Sequence, residues 1–322
     1  MLAHQVSSAA PRVLRLATPA PDGTAPARLL KALAREVDKE TKGELRIKWY
    51  WGGVAGDELT VHERIKREQL DGTASGGPLC MLVSPSLRIS QLPGVFQTRE
   101  EARHVVTLLR PTLEAEALQR GFTLFTTVGL GPTVLLTRTP IRTLSDLKGA
   151  KLWIWDLLEV QVAVGQEIGI SVVSSPLHEA GSLYDSGRTD GFLTIPTAAL
   201  AFQWSARARY VTDLRIGYVH GCLLIANRAV DPLSQPQRQA LQSAVNRSFV
   251  HFEELGLQQD RMLLGGVFAR QGLKAVPVSE TLRAEVFAAL RAARERLGEK
   301  LVPAALLHRV MEALSDYRGA HP

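Results

Sequence analysis

The sequence predicts an α/β protein of two lobes, each built from discontinuous chain segments, with a long helix that connects them. Strand and helix signals alternate almost from end to end, an order typical of sheets covered by helices. With 322 residues, the chain is long enough for two lobes that each have a hydrophobic core. A helical pattern extends from about Gln235 to Gln271. At 1.5 Å per residue this helix is roughly 50 Å long, so we expect it to run along both lobes.

The first part of the chain begins with two strand and helix units. Apolar patterning predicts strands at 13–18 and 45–51. A helix with one apolar stripe follows the first strand, and the turn "GGVAGDE" leads from the second strand into a helix near Asp57. A further helix begins at Thr98, which has capping-box spacing to Glu101. Strands separated by helices in this order favour parallel pairing.

The second part of the chain repeats this alternation and defines the lobes. Strands are predicted at 133–138, 151–155, 170–174, 190–195, 217–228 and 273–278. We assign residues 12–136 and 220–245 to lobe I, residues 137–219 and 272–322 to lobe II, and residues 235–271 to the helix that spans both. A ligand cleft is expected between the lobes, because strand ends and helix N-termini converge there.

Composition and charge exclude several classes of protein. Apolar residues make up 45% of the chain and charged residues 22%, which are ordinary values for a globular protein. The net charge of +6 is spread along the sequence without a dense basic run, so nucleic acid is not an expected partner. No apolar run approaches the roughly 18 residues needed to span a bilayer. The N-terminal segment lacks the pattern of a secretory signal, so either the protein is cytoplasmic or a leader preceded this sequence.

The sequence contains no recognisable reaction centre. "GLGP" (129–132) and "GGVAG" (52–56) lack the other residues of nucleotide-binding loops and are interpreted as turns. The histidines lack metal-ligand spacing, and no Ser or Cys lies in a nucleophile motif. Cys80 and Cys222 are far apart in the chain and are interpreted as free buried thiols. We therefore expect no catalytic residues, no metal and no cofactor.

Aromatic and apolar residues lie at the ends of several predicted strands. In "KLWIW" (151–155), Leu152 and Ile154 point to one side of the strand, and Trp153 and Trp155 point to the other. The two indoles either fill a core or line the cleft, since ligands bind at the C-terminal ends of strands in α/β folds. The other candidates for the ligand site also lie at or near the ends of predicted strands. They are Trp51, Leu193, Thr194, Ile195, Gln203 and Trp204.

Taken in order, five segments resemble the substrate-binding proteins of tripartite ATP-independent periplasmic (TRAP) transporters, the DctP-like family. They are "WGGVAGDELTVHERIKREQLDG" (51–72), "QLPGVFQTREEA" (91–102), "RTPIRTLSDLKGAKLWIW" (138–155), "LYDSGRTDG" (183–191) and "LSQPQRQALQSA" (233–244). The resemblance covers the chain from about Val13 to near Tyr317. It implies a two-lobed fold like that of periplasmic binding proteins, without enzymatic activity. It also implies a periplasmic location and delivery of a ligand to a membrane permease.

The chain departs from the family pattern at the expected ligand site. Most family members resemble organic-acid binders, in which an Arg on the strand after "LKG-K" pairs with the substrate carboxylate. Trp153 occupies that position here, and Leu193-Thr194-Ile195 replaces a more polar segment before Pro196. An anion buried without a cationic partner costs several kcal/mol, so we expect a hydrophobic or amphipathic ligand. The Trp-rich segments resemble those of a branch of the family that binds lipids or other hydrophobic ligands. That resemblance implies a TPR-type partner protein. The alternative is an organic-acid binder that uses another Arg, such as Arg138 or Arg188.

Overall fold

The computed structural model describes residues 10–321 and contains two β-sheets flanked by helices. The strands, in chain order, are β1 (Arg12–Ala17), β2 (Leu45–Tyr50), β3 (Gly72–Ser75), β4 (Phe122–Pro132), β5 (Val134–Thr137), β6 (Lys151–Trp155), β7 (Ser171–Ser175), β8 (Gly191–Thr194), β9 (Tyr210–Thr212), β10 (Tyr218–Ala226) and β11 (Lys274–Val276).

Helices separate most of the strands. They are α1 (Ala25–Glu40), α2 (Glu58–Lys66), α3 (Pro78–Val83), α4 (Arg99–Gln119), α5 (Leu144–Gly149), α6 (Glu159–Glu167), α7 (Ala180–Asp185), α8 (Pro196–Ala201), α9 (Asn227–Val230), α10 (Gln235–Met262), α11 (Phe268–Arg270), α12 (Glu280–Leu297) and α13 (Ala304–Ala320). Short 3₁₀ segments lie at Pro85–Gln91, Leu177–Glu179 and Gly298–Lys300.

The first lobe is built around a sheet with the strand order β2-β1-β3-β10-β4. β1 pairs in parallel with β2 and β3, whereas β10 is antiparallel to both of its neighbours. The apolar stripe of α1 packs with α10 on one face of this sheet, where Leu30, Leu33 and Leu241 are buried. The parallel pairing expected from the sequence is therefore wrong for β10. The chain forms most of the second sheet before it returns to the first sheet as β10.

The second lobe is built around a sheet with the strand order β11-β9-β5-β8-β6-β7. It is also mixed, because β5 is antiparallel to β8 and β9. Both faces of its strand β6 are covered. Leu152 and Ile154 lie near α6 and α12 on one face, and Trp153 packs with Phe192 and Trp204 on the other.

Three connections join the two sheets within residues 10–321. The chain leaves the first sheet at Pro132 and returns to it at Tyr218, and the backbone N–H of Thr133 donates to Gly217 O at 2.8 Å between these two crossings. The third connection is the long helix expected from the sequence. Its regular part ends at Met262 and continues through a π-helical turn, Leu263–Val267, in which Gly266 has a φ of 155°. That conformation favours glycine and marks a kink.

The C-terminal helices contact both lobes. Helix α12 packs against α5 and α6 of the second lobe, and α13 packs against α4 of the first lobe. Both carboxylate oxygens of Glu101 in α4 accept hydrogen bonds from the guanidinium of Arg318 in α13. The division proposed from the sequence placed all of 272–322 in lobe II and residues up to 136 in lobe I. In the structure, α13 lies against the first lobe, and β5 belongs to the second sheet from Val134 onward.

Two expectations about local structure are corrected by the tertiary fold. Cys80 and Cys222 are joined by a disulfide with Cα atoms 5.9 Å apart, because α3 packs on β10; the expectation of free thiols is wrong. Residues 129–132 are the end of β4, paired with β10, and not a turn. The turn expected at 52–56 is present, with positive φ at its glycines. Within residues 10–321, no helix is long and apolar enough to cross a membrane.

Candidate ligand-binding site

A large cleft lies between the two sheets, at the ends of their strands. It contains about 1300 Å³ of space not filled by protein atoms, its open mouth included. The first lobe contributes the segment after β1, the end of β3 and part of β10, and helix α10 adds Phe249 and Phe252. The second lobe contributes the ends of β6 and β8 and the start of α8. This is the location expected for a ligand site in an α/β fold.

The described residues that line this cleft carry no formal charge at neutral pH. No Lys, Arg, Asp or Glu is among its lining residues in the part of the chain that the structure describes. Among residues 10–321, the one ionisable side chain that lines it is His220, which is 5% exposed. Burial lowers the pKa of His220 to about 4, so its imidazole is neutral at pH 7. The cleft therefore offers an apolar surface with scattered neutral polar groups.

Trp153 belongs both to the core of the second lobe and to the cleft wall. Its side chain is 2% exposed and packs between Phe192 and Trp204, with ring centroids 6.4 Å and 5.0 Å away. The indole Nε1–H donates to Ser175 Oγ at 3.0 Å. The residue nevertheless lines the cleft. The two roles considered for Trp153 from the sequence are thus not exclusive.

Trp155 reaches across the cleft toward the first lobe. A Cβ placed on Gly76 would lie 3.5 Å from Cζ3 of this indole, an ordinary van der Waals distance, so the indole lies close to the backbone of Gly76. Its Nε1 atom is buried and has no hydrogen-bond partner among the described residues. An unpaired buried donor is costly, about 1–3 kcal/mol. A hydrogen-bond acceptor that reached Nε1 would remove this cost.

Six of the eight candidate residues line the cleft together, namely Trp153, Trp155, Leu193, Thr194, Ile195 and Trp204. Trp51 does not line it: its ring packs on Trp49 with centroids 5.6 Å apart, and Lys31 Nζ lies 5.4 Å above it. Gln203 does not line it either, because it occupies the exposed turn after α8 with a φ of 59°. Proximity to a strand end was therefore not enough to place these two side chains in the cleft.

Several residues that line the cleft belong to no sequence motif and were not among the predicted site residues. Gln91 comes from the 3₁₀ segment of the first lobe, Gln161 from α6, and His220 from β10. Both Gln side chains are buried, with residue exposures of 7% and 8%. They are far apart in the chain and follow no motif, so only the crossing of the chain between lobes brings them to one cavity.

A buried carboxylate shapes the first-lobe wall. Glu58 accepts hydrogen bonds from Ser75 Oγ, Gly76 N and Leu79 N at 2.6, 2.7 and 2.6 Å. These bonds fix the loop between β3 and α3, which faces Trp155. Burial raises the pKa of Glu58, although the three donors oppose that shift. Glu58 therefore acts on the shape of the wall, and its carboxylate oxygens are already occupied by donors from the protein.

An ion pair lies behind His220, close to the crossings between lobes. Arg99 in α4 donates to the carboxylate of Asp260 in α10 and, at 3.1 Å, to Gly129 O. Burial raises the pKa of Asp260 to about 6, because desolvation outweighs the attraction of Arg99. Arg99 does not line the cleft, and its guanidinium is held by these two acceptors.

The two arginines considered for an organic acid also lie outside the cleft lining. Arg138 stacks over Tyr184, with its Cζ 4.2 Å from the ring centroid. Arg188 is exposed in the turn that precedes β8. The described residues include no cluster of acidic, His or Cys side chains that could hold a metal ion.

Comparison with known proteins defines the class. The family model described as bacterial extracellular solute-binding protein, family 7 (DctP), matches residues 16–300, and the chain belongs to this family. A solute-binding protein of Albidiferax ferrireducens is 24% identical over 264 residues, which are 79% of this chain and 75% of that protein.

Solved structures of TRAP-type receptors share the two-lobed fold. The sugar acid binding protein of Advenella mimigardefordensis, in complex with galactonate, has a TM-score of 0.87 at 18% identity and covers 95% of this chain and 98% of its own. An extracytoplasmic solute receptor of Bordetella pertussis that binds pyroglutamic acid has a TM-score of 0.84 at 18% identity, with coverages of 94% and 99%. The family comprises extracytoplasmic receptors that work with membrane permease subunits. The chain is thus a binding protein of a TRAP-type system and not an enzyme.

Proposed function

We propose that this protein binds a hydrophobic or amphipathic ligand in the cleft between its lobes and delivers it to a TRAP permease. The observation that carries the proposal is that the described residues lining the cleft, which come from both lobes, include no charged side chain. Apolar burial contributes roughly 25 cal/mol per Å², so a ligand that buries about 300 Å² of apolar surface gains roughly 7 kcal/mol before the cost of association. A small anion would gain little of this and would lose its hydration.

The alternative is an organic-acid binder of the same transporter class. It is favoured by the two solved relatives, whose ligands are pyroglutamic acid and galactonate. Against it stands the cost of burying a carboxylate without a cation, which amounts to several kcal/mol. Trp153 lines the cleft where the resemblance places the carboxylate-binding Arg, and neither Arg138 nor Arg188 lines it.

A periplasmic location is part of the proposal. The disulfide between Cys80 and Cys222 supports it, because disulfides persist in oxidising compartments and are rare in the cytosol. A TPR-type partner protein that receives the ligand is proposed on the resemblance alone.

Binding of a neutral apolar fluorophore tests the proposal. Titration with N-phenyl-1-naphthylamine should give a saturable fluorescence increase, whereas calorimetric titration with galactonate or pyroglutamate should give no binding below millimolar concentration. Leu193→Arg should weaken probe binding at least tenfold, because it places a charge in the apolar lining. Leu118→Arg on α4 is the matched control, since Leu118 is 63% exposed and outside the cleft lining. Tight binding of a carboxylate without binding of the probe would refute this proposal and support the organic-acid binder.

A further inference from the structure

Neutral polar residues from both lobes line the same cleft. The second lobe contributes Trp155, whose indole N–H is buried and unpaired among residues 10–321. The first lobe contributes His220, whose side chain is buried and lines the same space. The amides of Gln91 and Gln161 line the same space. These groups can form hydrogen bonds to a ligand, and none of them carries a charge at neutral pH.

We infer that the polar end of the ligand is uncharged and offers an oxygen acceptor to the indole N–H of Trp155. This inference rests on the proposed function and narrows it to a class: an alcohol, ester, ketone or amide with an apolar body. An indole N–H can only donate, so it requires an acceptor on the ligand. A neutral imidazole and an amide can each donate or accept, and both are compatible with a hydroxyl or a carbonyl group.

An ionised head group is disfavoured by what surrounds the cleft. A carboxylate could also accept from the indole and the amides, but neutral donors compensate the lost hydration of a full charge less well than a cationic partner does. The guanidinium of Arg99, behind His220, is paired with Asp260. Asp156, directly after Trp155, has a pKa raised by burial and then by the charge of Asp57. The negative charge of Asp156 disfavours a second anion close to it.

The test compares ligands with one apolar body and different head groups. Displacement of bound N-phenyl-1-naphthylamine at pH 8 would be measured with 1-decanol, methyl decanoate and sodium decanoate. The alcohol and the ester should displace the probe at concentrations at least tenfold lower than decanoate. Equal or stronger displacement by decanoate overturns the inference and leaves the proposed function standing. The inference is also overturned, and the proposed function again left standing, if the probe binds but no decyl compound displaces it. If the probe itself does not bind, both the proposed function and this inference are refuted.

A conservative variant separates hydrogen bonding from apolar contact. Trp155→Phe keeps an aromatic ring and removes the donor, so it should weaken decanol binding about five- to tenfold and leave probe affinity within about twofold. Trp51→Phe is the matched control, because it removes an indole outside the cleft lining and should change neither affinity. Equal losses of alcohol and probe affinity in Trp155→Phe would mean that Trp155 acts through contact area alone, which overturns its role as donor.

Discussion

Replacing Trp153 by Ala tests whether one side chain supports both the core and the ligand site. A buried Trp removes about 150–250 Å² from water, which corresponds to roughly 4–6 kcal/mol at 25 cal/mol per Å². Part of its rim already borders open space in the cleft, and the exchange also leaves Ser175 without its indole donor. We therefore expect Trp153→Ala to lower the free energy of unfolding by about 3–5 kcal/mol.

The measurement combines urea unfolding, followed by circular dichroism, with probe binding calculated per folded molecule. Trp155→Ala is the matched comparison: it changes the same residue type on the same strand face, but its side chain is only partly buried, so it should cost about 1–2 kcal/mol. Both variants should bind the probe more weakly than the wild type. Stability within 1 kcal/mol of wild type for Trp153→Ala would refute the packing argument, and unchanged affinity per folded molecule would leave Trp153 as a core residue only.

Two further predictions concern stability. The disulfide closes a loop with a sequence separation of 142 residues, so it restricts the unfolded chain strongly. Replacing both Cys80 and Cys222 by Ser should therefore lower the free energy of unfolding, measured with urea, by about 4–5 kcal/mol. A loss below 1 kcal/mol would contradict the cross-link. Asp260 has a folded-state pKa of about 6 against an ordinary 3.8, so its contribution to stability is fully present below pH 3.8 and is lost as the pH rises through 6. The stability of wild type relative to Asp260→Asn should therefore rise by up to about 3 kcal/mol from pH 7 to pH 4, and a flat difference would refute the assigned pKa.

Most of the element order could be predicted from local patterns. The stripe of α1, the Thr98 cap of α4 and the alternation in β6 are each set by neighbours within a few residues. Three strands were missed, namely β3, β4 and β9. β3 reads "GTAS", which has no apolar alternation, and it forms because β1 and β10 pair on either side of it. β4 has 11 residues, and its last four were interpreted as a turn. The antiparallel direction of β10 was missed for a related reason, since strand direction follows from where the chain re-enters the sheet.

The sequence by itself determined the class of fold, the long helix and the apolar character of the strand ends near Trp153 and Leu193, because these follow from composition and periodicity. The tertiary structure alone decided which side chains share the cleft: it excluded Trp51 and Gln203, and it added His220. It also brought Cys80 within bonding distance of Cys222. The physical reason is that burial and pairing between distant residues depend on how two sheets, joined by three crossings, are placed against each other, and no short segment of the chain contains that information.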